Sequence, residues 1–352
     1  MIARCRPEWI VCTLLWLAVS NHLSHGAQSP VPWRDPSPHH ATFVTVAAGV
    51  NLEVLDWGGG SKQAVVLLTG SGNSAHVFDE FAPKLLNCCH VYGITRRGHG
   101  VSSRPEAGYH DQQLADDVLQ VLDRLQLDHP VLIGHSAAGG EMTTLARQHS
   151  DRLGGLVYMD AIGDLEDDPP ADAVWLALQQ KLPPGVTPAP TCGPLDRSTF
   201  EAFRQSLGCR VGVLFPVAEL HNTFEEVDGQ VGGPRMPEWV RRAMGQGQAF
   251  RHDYSHIQVP VLALLQFAAT TDALLAPSHY EPKNIEEQEA IDAFAARSRV
   301  IFGRWTDKLI RQVPSARIVN LGPVGHYLFI TREAEVLREI SSFLTQVNSG
   351  RK

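Results

Sequence analysis

The first pattern typical of secondary structure is an alternation of apolar and polar residues between 43 and 55. Two alternating runs, at 43–46 and 52–55, flank a turn at 48–51 and predict a β-hairpin. Beyond the hairpin the apolar runs are short and continuous, which favours strands of a parallel sheet covered by helices on both faces. Such runs occupy 64–69, 91–95, 131–133, 156–159, 261–265 and 316–321.

Helical patterns lie between these runs. Residues 111–125 carry an apolar stripe at a spacing of about 3.6 residues, with acidic residues on the opposite face. Residues 336–344 show the same period ahead of the C-terminus. Alternating strands and helices predict an α/β fold with a doubly wound sheet and right-handed crossovers.

A stretch of about a hundred residues, between 160 and 259, interrupts this alternation. It is rich in Pro, Gly, Trp and Phe, with helix-like pieces at 174–181, 198–207 and 237–244. Because a simple connection is rarely so long, we expect a cap at 163–256 over the carboxyl edge of the sheet. The core would then comprise 28–162 and 257–346, with a tail at 347–352.

The N-terminal segment has the composition of a leader. Arg4 and Arg6 precede an eleven-residue apolar stretch at 9–19, which is too short to span a bilayer. Small residues follow at Ser24, Gly26 and Ala27. We therefore expect a signal peptide at 1–27, export to the periplasm or the medium, and no stable membrane insertion.

Charge and cysteine content indicate which partners, metals and disulfides to expect. The chain has 30 Lys+Arg against 38 Asp+Glu, a formal charge of −8, and lacks a basic run, so nucleic acid is not an expected partner. The cysteines show no metal-binding spacing, and we expect no metal. Cys192 and Cys209 flank a loop and helix of suitable span for a disulfide, which an oxidising compartment would permit.

The strongest chemical signal is VLIGHSAAG at 131–139, where an apolar strand runs into a turn of small residues and then a helix. A serine on so tight a turn needs small neighbours two residues before and after it. Gly134 and Ala138 supply them, as G-x-S-x-A in place of the usual G-x-S-x-G. We predict that Ser136 is a nucleophile.

An acidic residue and a histidine follow Ser136 along the chain. The order serine, acid, histidine is the one expected for a catalytic triad in this topology. His326 ends GPVGH at 322–326, just ahead of the C-terminal helix. Asp272 is the first acid after the run at 261–265, and we predict that it completes the triad. Asp160, directly after the run at 156–159, is the alternative acid. Serine, acid and histidine then act without a cofactor.

The turn after the first buried strand, LLTGSGN at 67–73, can present a backbone N–H to a developing oxyanion. We predict that the amides of Ser71 and Ala137 form a two-donor oxyanion hole.

These motifs together resemble the α/β-hydrolase superfamily over 42–346. The resemblance is carried by GHSAAG at 134–139, RGHGVS at 97–102, LVYMDA at 156–161 and GH at 325–326. It implies a mostly parallel, eight-stranded sheet with a helical cap after the sixth strand. It also implies hydrolysis of a small or medium carboxylic ester by Ser136, His326 and Asp272 through an acyl-enzyme.

Other functions remain open at this stage. A lactonase, a carbon–carbon bond hydrolase or a cofactor-free perhydrolase would use the same residues. GSGNSA at 70–75, with Arg96 and Arg97 ending the next strand, also fits a weak NADP-binding fingerprint. A member of the fold that binds a ligand without catalysis is the remaining alternative.

Overall fold

The computed structural model describes residues 33–60, 63–163, 174, 177–186, 192–247 and 252–350. The predicted signal peptide at 1–27 lies outside the described residues. Residues 36–352 form one compact unit, which contains every element discussed below.

An eight-stranded sheet runs through this unit in the order β1-β2-β4-β3-β5-β6-β9-β10. β2 pairs antiparallel with β1 and β4, whereas all other neighbours are parallel. The predicted hairpin and the mostly parallel sheet are therefore confirmed. The strands are β1 (His40–Ala47), β2 (Val50–Gly58), β3 (Ala64–Leu68), β4 (His90–Ile94), β5 (Val131–His135), β6 (Gly155–Met159), β9 (Val261–Leu265) and β10 (Arg317–Asn320).

Helices cover both faces of this sheet. The helices of this unit include α1 (Asp111–Arg124), α2 (Ala138–His149), α3 (Phe200–Val211), α4 (Val217–Thr223), α5 (Glu238–Gly247), α6 (Thr271–Leu275), α7 (Ile285–Gln312), α8 (Leu328–Thr331) and α9 (Glu333–Ser349). Short 3₁₀ turns lie at Ala75–Phe78, Ala82–Leu85 and Ser150–Arg152. None of the helices within the described ranges is both long and apolar enough to cross a membrane.

The two faces of the sheet pack into separate apolar clusters. Val65 and Leu67 of β3 belong to the cluster that contains Phe343 of α9. Val66 and Leu68 point to the other face and join the cluster with Val118 of α1. Successive residues are thus all buried, which explains why the strands appear in the sequence as continuous apolar runs.

The insertion after β6 contains helices and a small second sheet. The helices predicted at 198–207 and 237–244 correspond to α3 and α5, and residues 177–180 of the segment predicted at 174–181 are helical. An antiparallel hairpin of β7 (Phe224–Val227) and β8 (Gln230–Pro234) was not predicted. Cys192 and Cys209 form a disulfide, which joins the segment before α3 to α3 itself.

Aromatic side chains fasten the insertion to the core. Within the insertion, the fully buried Phe203 of α3 has its ring centroid 4.9 Å from that of Phe224. Phe215 packs edge-on against Tyr327, with 4.9 Å between their ring centroids. Both contacts belong to or border the same cluster as the sheet, so this part of the insertion is an integral layer of the fold.

Candidate active site

Ser136 occupies the sharp turn between β5 and α2. Its φ of 54° lies in the left-handed region, which costs an ordinary L-residue about 1–2 kcal/mol. The neighbours must be small, since a Cβ at Gly134 would lie 2.6 Å from Met142 Sδ and 3.0 Å from Ala138 Cβ. The turn holds the half-buried Ser136 hydroxyl above the carboxyl ends of the strands.

His326 links Ser136 to an acid. Its Nε2 lies 2.7 Å from Ser136 Oγ, and its Nδ1 lies 2.6 Å from Asp160 Oδ2. The predicted pairing of the serine with His326 is therefore present. The three side chains have the arrangement of nucleophile, base and orienting acid that hydrolytic triads require.

The register of two neighbouring strands explains the position of Asp160. His135 of β5 pairs with Met159 of β6, so the residues that follow, Ser136 and Asp160, leave the sheet side by side. The Ser136 amide donates to Met159 O at 3.2 Å, and the Asp160 amide donates to Leu264 O at 2.8 Å. Asp160 also has a left-handed φ, 47°, which turns its side chain toward the histidine.

The prediction that Asp272 would meet His326 is wrong in the structure. Asp272 is exposed in the first turn of α6, a helix capped by Thr270. The chain leaves the edge of the sheet after β9 because Phe267 stacks on Phe302 of α7, with 4.6 Å between the ring centroids. Leu274 is then buried against α7, which leaves Asp272 facing solvent.

The turn after β3 lies against Ser136. A Cβ at Gly70 would be 3.2 Å from Ser136 Cβ, so Ser71 follows directly beside the serine. Within the described part of the chain, no hydrogen bond to a protein acceptor is found for the amides of Ser71 or Ala137. Both N–H groups are thus available for an oxyanion.

Sequence reasoning missed two residues that brace this triad. His135 Nε2 lies 3.0 Å from the backbone oxygen of His326. Burial, together with the neighbouring His326, holds the pKa of His135 well below its usual range, so the neutral ring donates Nε2–H to that oxygen. Gln266 Nε2 donates to Asp160 Oδ2 at 3.2 Å. The position of Gln266 just after β9 was the available signal.

Arg96 and Arg97 are structural. Arg96 pairs with the buried Glu141 of α2 and donates to Thr69 O at 2.8 Å, which supports the turn before Ser71. Arg97 forms a buried bidentate pair with Asp117 of α1. Neither guanidinium is presented to a 2′-phosphate, which argues against the NADP-binding alternative.

Three side chains of types that can bind metals, His39, His76 and Asp79, lie together outside the candidate triad. His39 Nδ1 lies 2.8 Å from Asp79 Oδ1, and His76 Nδ1 lies 3.1 Å from Asp79 Oδ2. Trp57 Nε1 donates to the same carboxylate at 3.1 Å. These are hydrogen-bond distances, so the cluster is accounted for by a buried carboxylate that binds its neighbours.

Sequence comparison relates this arrangement to known proteins. A family described as "alpha/beta hydrolase fold" matches residues 63–193. A 2-(acetamidomethylene)succinate hydrolase from Mesorhizobium japonicum is 29% identical over 101 residues, which are 29% of this chain and 36% of that protein. A non-heme chloroperoxidase from Streptomyces lividans is 27% identical over 69% of this chain and 86% of its own length.

Solved structures resemble the fold over nearly their whole length. The crystal structure of E-2-(acetamidomethylene)succinate hydrolase superimposes with a TM-score of 0.61 at 18% identity, covering 87% of this chain and 99% of that one. An esterase from Exiguobacterium antarcticum gives a TM-score of 0.55 at 16% identity, covering 87% and 100%. At these identities the likeness concerns the fold.

Proposed function

We propose that this chain, a member of the α/β-hydrolase superfamily, is a serine hydrolase that cleaves a small or medium carboxylic ester or lactone. The observation that carries the proposal is the chain of hydrogen bonds Ser136–His326–Asp160, with 2.7 Å and 2.6 Å between the paired atoms. Its position beside two free amides supports acyl transfer as the reaction.

The proposed reaction begins with attack of Ser136 Oγ on the substrate carbonyl. His326 Nε2 takes the hydroxyl proton as general base and returns a proton to the leaving alcohol. Asp160 holds Nδ1–H and stabilises the imidazolium. The Ser71 and Ala137 amides donate to the tetrahedral oxyanion, an interaction of about 3 to 4 kcal/mol per donor. Water then hydrolyses the acyl-enzyme by the same steps.

A panel of nitrophenyl esters of increasing acyl length, together with a simple lactone, tests this function. We expect turnover of at least one member. We also expect an organophosphonate to inactivate the protein and to leave one adduct, located by mass spectrometry on the peptide with Ser136. Adduct formation on another serine of an active preparation would contradict the assignment.

The same residues support a second candidate, a cofactor-free perhydrolase. Similarity to a non-heme chloroperoxidase over 69% of the chain favours keeping it. Peroxide-dependent halogenation of a dye in the presence of a carboxylic acid, at a rate above that of ester hydrolysis, would give this candidate preference. A carbon–carbon bond hydrolase would instead cleave a diketone and would not hydrolyse the nitrophenyl esters.

We further propose that the protein is exported. The charged and apolar pattern of residues 1–27 supports this, and so does the disulfide between Cys192 and Cys209, because such bonds persist in oxidising compartments. Expressed in a bacterial host, the exported protein should begin near Ala27 or Gln28 by N-terminal sequencing. An intact Met1 terminus in the membrane fraction would indicate an anchor instead.

A further inference from the structure

Glu219 of α4 joins the cap insertion to the turn that carries Ser71. The residue is 2% exposed, and its carboxylate faces two consecutive residues, Asn73 and Ser74. Asn73 Nδ2 donates to Oε1 at 2.9 Å, and the Ser74 amide lies 3.2 Å from both carboxylate oxygens. Ser74 Oγ is a further hydrogen-bond partner. Among the described residues, every hydrogen bond of this carboxylate thus goes to the end of the turn at 69–74, called the oxyanion turn below.

The turn itself is closed by few bonds of its own. The Asn73 amide donates to Gly70 O at 3.4 Å, and Thr69 Oγ1 donates to Asn73 O at 3.2 Å. Both distances are near the upper limit for a hydrogen bond. Ser71 is exposed at the tip, so the position of its amide depends on how firmly the two ends of the turn are held.

A second contact connects the same turn to the base. Tyr327, which follows His326, donates its hydroxyl proton to Asn73 Oδ1 at 3.2 Å. The Asn73 side chain is therefore held on one side by Glu219 and on the other by the residue after the proposed base. The carboxamide fixes the spacing between the oxyanion turn and the histidine loop.

Burying this carboxyl group is unfavourable unless its oxygens are satisfied. Burial raises the pKa of Glu219 to about 8, although the hydrogen bonds from Ser74 and Asn73 and the nearby His76 act in the opposite direction. An apolar residue at this place would avoid the desolvation cost. What the carboxyl group provides in exchange is a set of hydrogen bonds to the turn.

We propose that Glu219 is a positioning residue, which holds Asn73 and Ser74 so that the Ser71 amide meets the oxyanion. The inference rests on the proposed hydrolase function. It assigns the support of part of the oxyanion hole to the insertion, which therefore contributes to the rate of the reaction.

The same helix offers a matched control. Asn222, one turn after Glu219, is also buried, and its Nδ2 donates to Glu53 Oε1 of the core at 3.2 Å. This is a bond between cap and core that does not involve the oxyanion turn. Asn222→Ala therefore loosens the attachment of α4 without releasing Asn73 or Ser74.

The test compares kcat and KM of Glu219→Ala, Glu219→Gln and Asn222→Ala on the best ester of the panel. Since losing an oxyanion donor costs about 10²–10³ in kcat, misplacing one by Glu219→Ala should lower kcat about ten- to a hundredfold with little change in KM. Glu219→Gln should recover most of the rate, because its carbonyl oxygen can accept from Asn73 and Ser74. Equal kcat losses in Glu219→Ala and Asn222→Ala, or an effect on KM alone, would overturn the proposal.

Two further measurements keep the outcome decisive. Asn73→Ala removes the same bond from the side of the loop, and it should reproduce the selective loss of kcat if Glu219→Ala does not fold. Hydrogen exchange of the peptide covering 70–75 should quicken in Glu219→Ala even if no ester is hydrolysed. Unchanged exchange would overturn the role of Glu219, whereas an inactive wild type with quickened exchange would count only against the hydrolase function.

Discussion

Replacing Ser136 with alanine is expected to lower kcat on the ester panel by about a millionfold, the loss seen when a serine protease is deprived of its nucleophile. No second hydroxyl is hydrogen-bonded to His326 among the described residues, so no other side chain is placed to take over the attack. The fold should persist, since alanine keeps the small volume that the turn needs and removes only Oγ.

The measurement is steady-state turnover together with a thermal unfolding curve. Ser342→Ala is a suitable control, because Ser342 is exposed on α9, far along the chain from the turn. The control should match the wild type in rate and in phosphonate labelling. A Ser136→Ala protein that retained more than about a thousandth of the activity would be incompatible with an acyl-enzyme on this residue.

Asp160→Asn is expected to lower kcat by about a thousandfold to ten-thousandfold. Asparagine keeps the shape of the side chain but permits the wrong tautomer of His326, and this change costs about ten-thousandfold in a serine protease. Because asparagine and aspartate have the same shape, the local structure should survive. The midpoint of thermal unfolding should stay close to that of the wild type.

Asp272→Asn is the comparison that decides between the two acids. Because Asp272 is exposed on α6, its replacement should change kcat less than threefold, about the range of a neutral surface substitution. The double variant Ser136→Ala/Asp160→Asn should be hardly slower than Ser136→Ala alone, because triad members act as a unit. A larger loss in Asp272→Asn than in Asp160→Asn would return the role to Asp272.

The position of Asp160 directly after β6 affects how the later part of the chain is used. With Asp160 beside Ser136, the segment after β9 does not have to supply the acid, and beyond Gln266 it builds α6 and the 28-residue α7. Leu274 of α6 and Phe294 of α7 share a cluster with Val186 from the insertion. The region that was predicted to supply the acid serves instead as a support for part of the insertion.

Much of the fold and part of the site were predictable because they depend on neighbours in the chain. The hairpin, the buried strands and α1 follow from the period of apolar residues, which reports local geometry directly. Ser136 was recognisable because its strained turn demands small residues at fixed positions, Gly134 and Ala138. His326 was placed by chain order within the resemblance to the superfamily.

The sequence did not determine which of two acidic residues, each following a strand, meets His326. Chain order allows either Asp160 or Asp272, and the distance of each from the end of its strand did not decide between them. The decision depends on strand register and on the stacking of Phe267 on Phe302, contacts between residues far apart in the sequence.

The sequence by itself determined the α/β class and the candidate pair Ser136 and His326, since each is encoded in a short stretch of the chain. Only the tertiary structure decided which carboxylate meets His326 and which residue of the insertion holds the oxyanion turn. Asp160 and Glu219 reach their partners from 166 and 146 residues away. No local pattern constrains such pairs, because their approach is produced by the packing of the sheet and the cap.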